Sequence, residues 1–424
     1  HMTVGIIFLI CIILFIIDRF PTSVVALAGC CALVLFGDCT PQAVFSSFSS
    51  DIVLIVFGTE IFGIACTESG LARVIARVIR QFSGGKNEKS ATVSIILLAG
   101  LIAAAASAFL NNQVVCTFMM VICISTAKEM KAIKVKDITL PVIYMAILGG
   151  QCTLIGAPAT LVASSLAESE TGRGISMFEL LPMGAILLLI GSVYILIFGF
   201  GSGRRIWGER ETASADRIVE GQDTVIVNRR KCSVTAFAGV VMMILFITEY
   251  VSVGTASIIG ALICILGGVV DQKSSCAKVD WNIIIWLGCS IGIANALNDS
   301  GMVSKFCTVV LEHMPNNVSP ILLLTMFVLI TTIISNLIAN TTTVIMVLPF
   351  AVQLTTELGI DSVPFIIAIT MAAGLAILTP LSCGFIGMTM RLGYKFKDYV
   401  RYGMGLQLLL TGSVIVLTKV MYGV

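Results

Sequence analysis

The chain has 424 residues, 57% of them apolar and 12% charged, with a mean hydropathy of +1.03. A soluble domain carries about 25% charged residues, so a water-soluble globular protein is excluded. The net charge of +2 favours no class of partner; no nucleic-acid partner is expected, and the 14 cysteines contain no Cys-x-x-Cys pair that would suggest a metal or redox site.

Apolar stretches able to cross a hydrocarbon core of roughly 30 Å recur along the whole chain. His1 before Met2 reads as a tag remnant and is set aside. The first apolar segment lacks a basic lead and a small-residue cleavage site, so no cleavable signal is expected. In chain order the first apolar segments are 3–17, 22–37, 51–80, 89–128, 138–168 and 178–200. A polar, charged stretch at 204–231 reads as a linker. The second set is 233–251, 254–271, 281–313, 318–358, 363–392 and 402–422. Within 51–80, Leu71 to Arg80 alternates apolar residues with Arg73, Arg77 and Arg80 and reads as an amphipathic helix in the membrane interface.

The two sets match in detail, which marks an internal repeat. Ser69-Gly70-Leu71 in the third segment corresponds to Ser300-Gly301-Met302. Ser107-Ala108-Phe109-Leu110-Asn111-Asn112-Gln113 in the fourth corresponds to Ser335-Asn336-Leu337-Ile338-Ala339-Asn340-Thr341. The fifth segments both break at proline, in Gly156-Ala157-Pro158 and Thr379-Pro380. Interrupted hydrophobic segments at corresponding places in two halves point to the binding site of a secondary transporter.

Basic residues set the expected topology. All but Arg173, Lys305 and Lys419 of the 26 Lys and Arg fall on one side if segments 89–128 and 318–358 each enter and leave by the same face. That side is cytoplasmic by the positive-inside rule. The expected fold class is therefore an all-α polytopic membrane protein of two inverted repeats. Each repeat has five transmembrane helices and one re-entrant hairpin. The first covers 2–203, with hairpin 89–128 and broken helix 138–168; the cytoplasmic linker is 204–231. The second covers 232–424, with hairpin 318–358 and broken helix 363–392. Both termini are expected outside a plasma or inner membrane.

Irregular backbone survives at membrane depth only where protein or a wet cavity satisfies it. The two tips and two breaks should therefore meet at one polar site. No Lys, Arg or His lies in any of the four interruptions. Amides (Asn111, Asn112, Gln113, Asn336, Asn340), hydroxyls (Ser107, Ser335, Thr341, Thr342, Thr153, Thr160, Thr379, Ser382) and free backbone remain. Carbonyl and amide oxygens suit a hard cation such as Na⁺, and helix N-termini suit an anion. Bound cations would supply the positive charge that basic side chains do not. Of the glycines, Gly149 and Gly150 read as close packing, and Gly156, beside the proline break, as part of the site. Asn336, one helical turn from the tip, is expected to matter less than the tip asparagines.

Ser107 to Asn112, Leu148-Gly149-Gly150-Gln151-Cys152-Thr153-Leu154-Ile155-Gly156-Ala157-Pro158, Ala339-Asn340-Thr341, Leu378-Thr379-Pro380 and Gly393-Tyr394-Lys395-Phe396-Lys397-Asp398 together resemble the divalent anion/sodium symporter family of the ion transporter superfamily. The resemblance spans nearly the whole chain. It implies a homodimer of scaffold and transport domains working by an elevator movement, with Na⁺ as the bound coupling ion and no organic cofactor. It implies one Na⁺ site at Ser107, Asn111, Asn112 and Gly156, and a second at Ser335, Ala339, Asn340 and the Leu378 carbonyl. The substrate would meet Asn112, Gln113, Asn340, Thr341, Thr379 and Pro380. The tips depart from the family's Ser-Asn-Thr. Gln113 stands where a Thr is usual, Ala339 lacks a hydroxyl, and Ala159-Thr160 replaces Pro-Asn.

The reading is Na⁺-coupled transport of a small anion, a di- or tricarboxylate, with sulfate or another oxyanion as the alternative. Glu60, an acid inside segment 51–80, keeps a cation/proton antiporter open. A channel fits poorly with inverted halves and closed tips. No catalytic constellation is present: the one His besides His1 is His313, and no nucleophile–base spacing occurs.

Overall fold

A computed structural model describes residues 2–17, 20–70, 74, 81, 88–129, 133–207, 228–248, 250–301, 319–380, 382–383, 386–387 and 389–424. Among these residues the protein is all helix, with no strand. The first half contains α1 (Met2–Ile17), α2 (Thr22–Phe36), α3 (Pro41–Phe45) and α4 (Asp51–Glu68). It continues through α5 (Glu88–Ser107), α6 (Asn112–Glu129), α7 (Val135–Gly150), α8 (Pro158–Thr171), α9 (Leu181–Tyr194) and, after a π-helical turn, α10 (Phe200–Trp207). The second half contains α11 (Arg229–Thr248), α12 (Val253–Leu266), α13 (Gln272–Lys278), α14 (Trp281–Asp299), α15 (Pro320–Leu337), α16 (Asn340–Glu357), α17 (Val363–Gly374) and α18 (Phe396–Tyr422). Most of the amphipathic stretch 71–80, and 302–318 in the second half, lie outside the described residues.

Six of the described helical segments are long and apolar enough to cross a membrane: Pro41–Glu68, Lys89–Ser107, Leu181–Gly199, Arg229–Thr248, Pro320–Leu337 and Phe396–Tyr422. Among the other described helices, α2, α12 and α17 are shorter, at 15, 14 and 12 residues.

The halves interlock reciprocally. α4 of the first packs along α12 of the second, and α14 of the second along α2 of the first. Capping contacts join both pairs at their N-terminal ends. The Asp51 carboxylate accepts from the Gly254 amide at 2.9 Å and from the Ser252 hydroxyl. Ser23 donates to the Asn282 amide oxygen at 2.9 Å. Both crossings are close. A Cβ on Gly58 would lie 2.5 Å from the Ser257 backbone, and Cys30 donates its thiol to the Cys289 carbonyl at 3.3 Å. Exchanged contacts of this kind are what a pseudo-two-fold relation between repeats produces.

The centre of the molecule is α7 and α17. Every residue of α7 is buried, and so is α17 from Pro364 to Gly374. A helix apolar on all sides has no solvent or lipid face and belongs inside. α5 and α6 pack on α7, and α15 and α16 pack on α17. Each hairpin therefore flanks the inner helix that follows it.

The polar stretch 204–231 is shorter as a linker than its composition suggests. α10 carries the first half on to Trp207, whose side chain is fully buried and whose indole donates to the Asp137 carboxylate at 2.8 Å. Arg204 lies 3.9 Å from the same carboxylate. Burying the large indole against Tyr394 and Tyr402 outweighs the polar character of its neighbours. Residues 208–227 lie outside the described residues. The Gly393-Tyr394 motif belongs to the same cluster. Gly393 takes a left-handed φ of +84°, its carbonyl accepts from the Lys136 ammonium at 3.2 Å, and the Tyr394 hydroxyl donates to the Lys136 carbonyl at 2.6 Å.

Candidate functional site

Two helix–turn–helix tips and two helix breaks meet at the centre. The first tip turns at Ala108–Asn111, between α5 and α6. Ser107 donates to the Asn112 amide oxygen across this turn. Asn111 folds its own oxygen back onto the Gln113 amide at 2.9 Å, an Asx turn that starts α6. The second tip repeats the geometry, with the Ser335 hydroxyl donating to the Asn340 amide oxygen at 2.9 Å and to the Ala373 carbonyl at 2.9 Å. Ser107, Asn111, Asn112, Ser335, Asn336 and Thr341 are all buried.

Each break is stitched to its neighbouring hairpin. In the first, between Gly150 and Pro158, Thr153 donates its hydroxyl to the Ala108 carbonyl, and the Asn112 backbone N–H donates to the Gly156 carbonyl at 3.2 Å. In the second, Thr379 donates to the Asn336 carbonyl, and the Leu378 amide donates to the Asn336 side-chain oxygen at 2.8 Å. Thr160 and Ser382 play matching parts. Each hydroxyl lies within hydrogen-bond reach of the carbonyls three and six residues before it, at 2.5 and 2.6 Å for Thr160 and 2.8 and 3.0 Å for Ser382. The two breaks also touch directly, since Gln151 donates to the Gly374 carbonyl at 3.4 Å and Tyr144 to the Ile377 carbonyl at 2.8 Å.

Helix ends set the electrostatics. α5, α7, α15 and α17 end here and α6, α8 and α16 start here, so terminal carbonyls and N–H groups that helix geometry leaves without intrahelical partners gather at the centre. Each helix N-terminus carries roughly +0.5 charge and each C-terminus roughly −0.5. Carbonyl-rich and N–H-rich surfaces thus lie side by side, as a site for a cation and an anion together requires.

The donor set beside the first tip fits Na⁺. A Cβ on Gly156 would lie 2.7 Å from the Ser107 carbonyl and would overlap the Gly150 carbonyl. The Asn112 amide oxygen lies against Gly150 in turn and accepts from the Ser107 hydroxyl, so the oxygens brought close here are hard and neutral. Among the described residues no group of His, Cys, Asp and Glu could hold a transition metal. The second tip is less regular. Ala339 brings only its backbone, and the Asn340 amide nitrogen donates to the Cys383 sulfur at 3.1 Å. Gln113 is half-buried, while Thr341, Thr379 and Pro380 are buried in the second half of the centre.

A family model described as citrate transporter matches residues 12–374. The chain belongs to that family. Among its relatives, an uncharacterized transporter of Synechocystis (sll0640) is 28% identical over 186 residues, 44% of this chain and 29% of that protein. The sodium-dependent dicarboxylate transporter SdcS of Staphylococcus aureus is 24% identical over 403 residues, 86% of this chain and 75% of that one. The chain thus spans under a third of the first relative and three quarters of the second. The crystal structure of the Alcanivorax borkumensis YdaH transporter superposes with a TM-score of 0.58 at 14% identity, covering 92% of this chain and 89% of that one. That likeness concerns the fold. The family and both of these relatives are named as transporters.

Sequence reasoning missed Gln407, and it gave Gly150 and Asn336 a lesser place than their contacts do. Gly149 is a packing residue, its Cα set against the Ala104 backbone, but Gly150 faces the site itself, where a Cβ would overlap the Asn112 side chain. Asn336 ties the second hairpin to the second break. Gln407 on α18 accepts from the Ile377 amide at 3.0 Å and from the Asn336 amide at 3.4 Å. Glu60 is buried, and the Asn111 amide donates to it at 3.4 Å. An acid in an apolar segment was the one available signal for that contact. Nothing in the local sequence marked Gln407.

Proposed function

We propose that this member of the citrate transporter family carries a small anion, a di- or tricarboxylate, together with Na⁺. The observation that carries the reading is the matched pair Ser107–Asn112 and Ser335–Asn340, each set beside a helix break whose carbonyls and N–H groups face the same centre. One Na⁺ would be held by Ser107, Asn111, Asn112 and Gly156. A second would be held by Ser335, Ala339, Asn340 and the Leu378 carbonyl. The anion would sit between the tips, on Asn112, Gln113, Asn340, Thr341, Thr379 and Pro380. With no basic side chain in the interruptions, the anion's charge is met by Na⁺ and helix N-termini, so neither ion binds well alone. Alternating access would come from an elevator movement of the hairpins and broken helices against the outer helices, in a homodimer. Likeness to a relative named as a sodium-dependent dicarboxylate transporter supports this reading.

The buried Glu60, bonded to Asn111, favours proton-coupled cation exchange as a second reading. Uptake into proteoliposomes separates the two. Labelled citrate, succinate and sulfate are offered with a Na⁺ gradient, with choline in its place, and with a pH gradient alone. Anion uptake that needs Na⁺ supports symport. Na⁺ efflux driven by a pH gradient without any anion supports the exchanger.

A further inference from the structure

α4, the first hairpin and α11 enclose a cavity of about 460 Å³ beside the candidate site. Phe62 and Gly63 of α4, Phe109 and Met119 of the hairpin, and Gly239 and Met243 of α11 form its walls. Two hydroxyls border it, and both bond to their own helices, Thr67 to the Gly63 carbonyl at 3.1 Å and Thr235 to the Lys231 carbonyl at 2.9 Å. A buried water needs two to four polar partners, and this wall offers little beyond the acceptor lone pairs of those two hydroxyls and the Cys66 thiol. An anion is worse placed still.

The mouth of the cavity opens on α11. Val240, Ile244 and Ile247 line it and are 56%, 54% and 64% exposed on the outer surface of a helix long and apolar enough to span a membrane. In a bilayer that surface meets hydrocarbon. An α-helix is about 10–12 Å across, so even two turns from a second copy exceed this volume. A single hydrocarbon chain does not. We propose that one acyl chain of a membrane phospholipid occupies this cavity, wedged between α4, α11 and the tip of the first hairpin. Its inner end rests on Phe109 and Leu110, directly before Asn111. The chain would fill the space behind the Glu60–Asn111 contact and keep water from reaching it through the side of the protein. The proposal does not depend on which ion or anion is carried.

The full chain in nanodiscs made with a phospholipid bearing a diazirine at the end of one acyl chain provides the test. After photolysis, mass spectrometry should find adducts on the peptides holding Phe62 and Met119, besides those on the exposed Leu35 and Leu408. Ala106→Trp blocks much of the cavity from one arm of the hairpin, and Val114→Phe, from the other arm, is the second variant should the first melt early. Either should remove the Phe62 and Met119 adducts and leave the Leu35 and Leu408 adducts unchanged. The proposal is overturned if the wild type shows no Phe62 or Met119 adducts. Adducts that persist in a folded filling variant overturn it too, as does cross-linking at Ile244 that joins two copies through the mouth.

Discussion

Ser335 reaches across the turn of the second hairpin and donates to the amide oxygen of Asn340, five residues on. Ser107 and Asn112 make the same contact in the first hairpin. In each case the hydroxyl fixes the rotation of the amide, so that its oxygen is held toward the break. The serine is therefore an orienting group for the amide.

Asn112→Ala and Asn340→Ala should each abolish uptake while expression and oligomer formation stay near normal. Each amide is assigned to both a cation and the anion. A hydrogen bond to a charged group contributes roughly 1.5–3 kcal/mol, which is about tenfold to over a hundredfold in affinity. Gln353→Ala, at the far end of α16, is the control and should transport normally. Wild-type KM and Na⁺ dependence in either tip variant would show that the residue assignment is wrong.

Asn336→Ala should act on stability first. Its side chain accepts from the Leu378 amide and donates to the Thr332 carbonyl, both at 2.8 Å. Removal orphans buried groups at roughly 1–3 kcal/mol each. The melting temperature should fall further than for either tip variant. An unchanged melting curve would mean that the break does not depend on this bond.

Gly150→Ala and Gly156→Ala should both disable transport, since either methyl would overlap atoms of the tip or break. Overpacking of this sort costs typically about 1–3 kcal/mol and displaces the Asn112 oxygen. Gly412→Ala on α18, with nothing within 4 Å, should be silent. Transport at wild-type rate in Gly150→Ala would show that the tip is looser than its geometry implies.

Na⁺ should raise the melting temperature of the purified protein, and choline should not. Binding to the folded state alone stabilises it by about 2.7 kcal/mol at a hundredfold excess over Kd. Equal melting in both salts would remove the support for cation sites at the tips.

Cysteines placed at Lys89 and Lys134, on a cysteine-free background, should label only from the cytoplasm. Those at Ser319 and Glu357 should label only from outside. Labelling of the two members of a pair from opposite sides would mean that the hairpin crosses the membrane.

The sequence made the tips and breaks visible because Asn, Gly and Pro are conspicuous in apolar segments. Burial of α17, and of α7 beyond its first turn, fits their sequences too, as those stretches are apolar on nearly every face. What it could not show depends on distant partners. Gln407 lies 71 positions from Asn336, and nothing in its own helix points to that partner. Trp207 sat in a charged stretch, and its destination, Asp137, is 70 positions away. Gly150 differed from Gly149 only by the angle at which it faces its neighbours, which sequence spacing does not resolve.

Cys383 accepts from Asn340 inside the second break and is buried. A thiol so enclosed is inert until the surrounding protein parts, because alkylating reagents need access to the sulfur. The protein thus carries a built-in clock for its own opening. The rate at which a small membrane-impermeant reagent consumes this thiol from one side measures how often that side is exposed, with no engineered label at the centre.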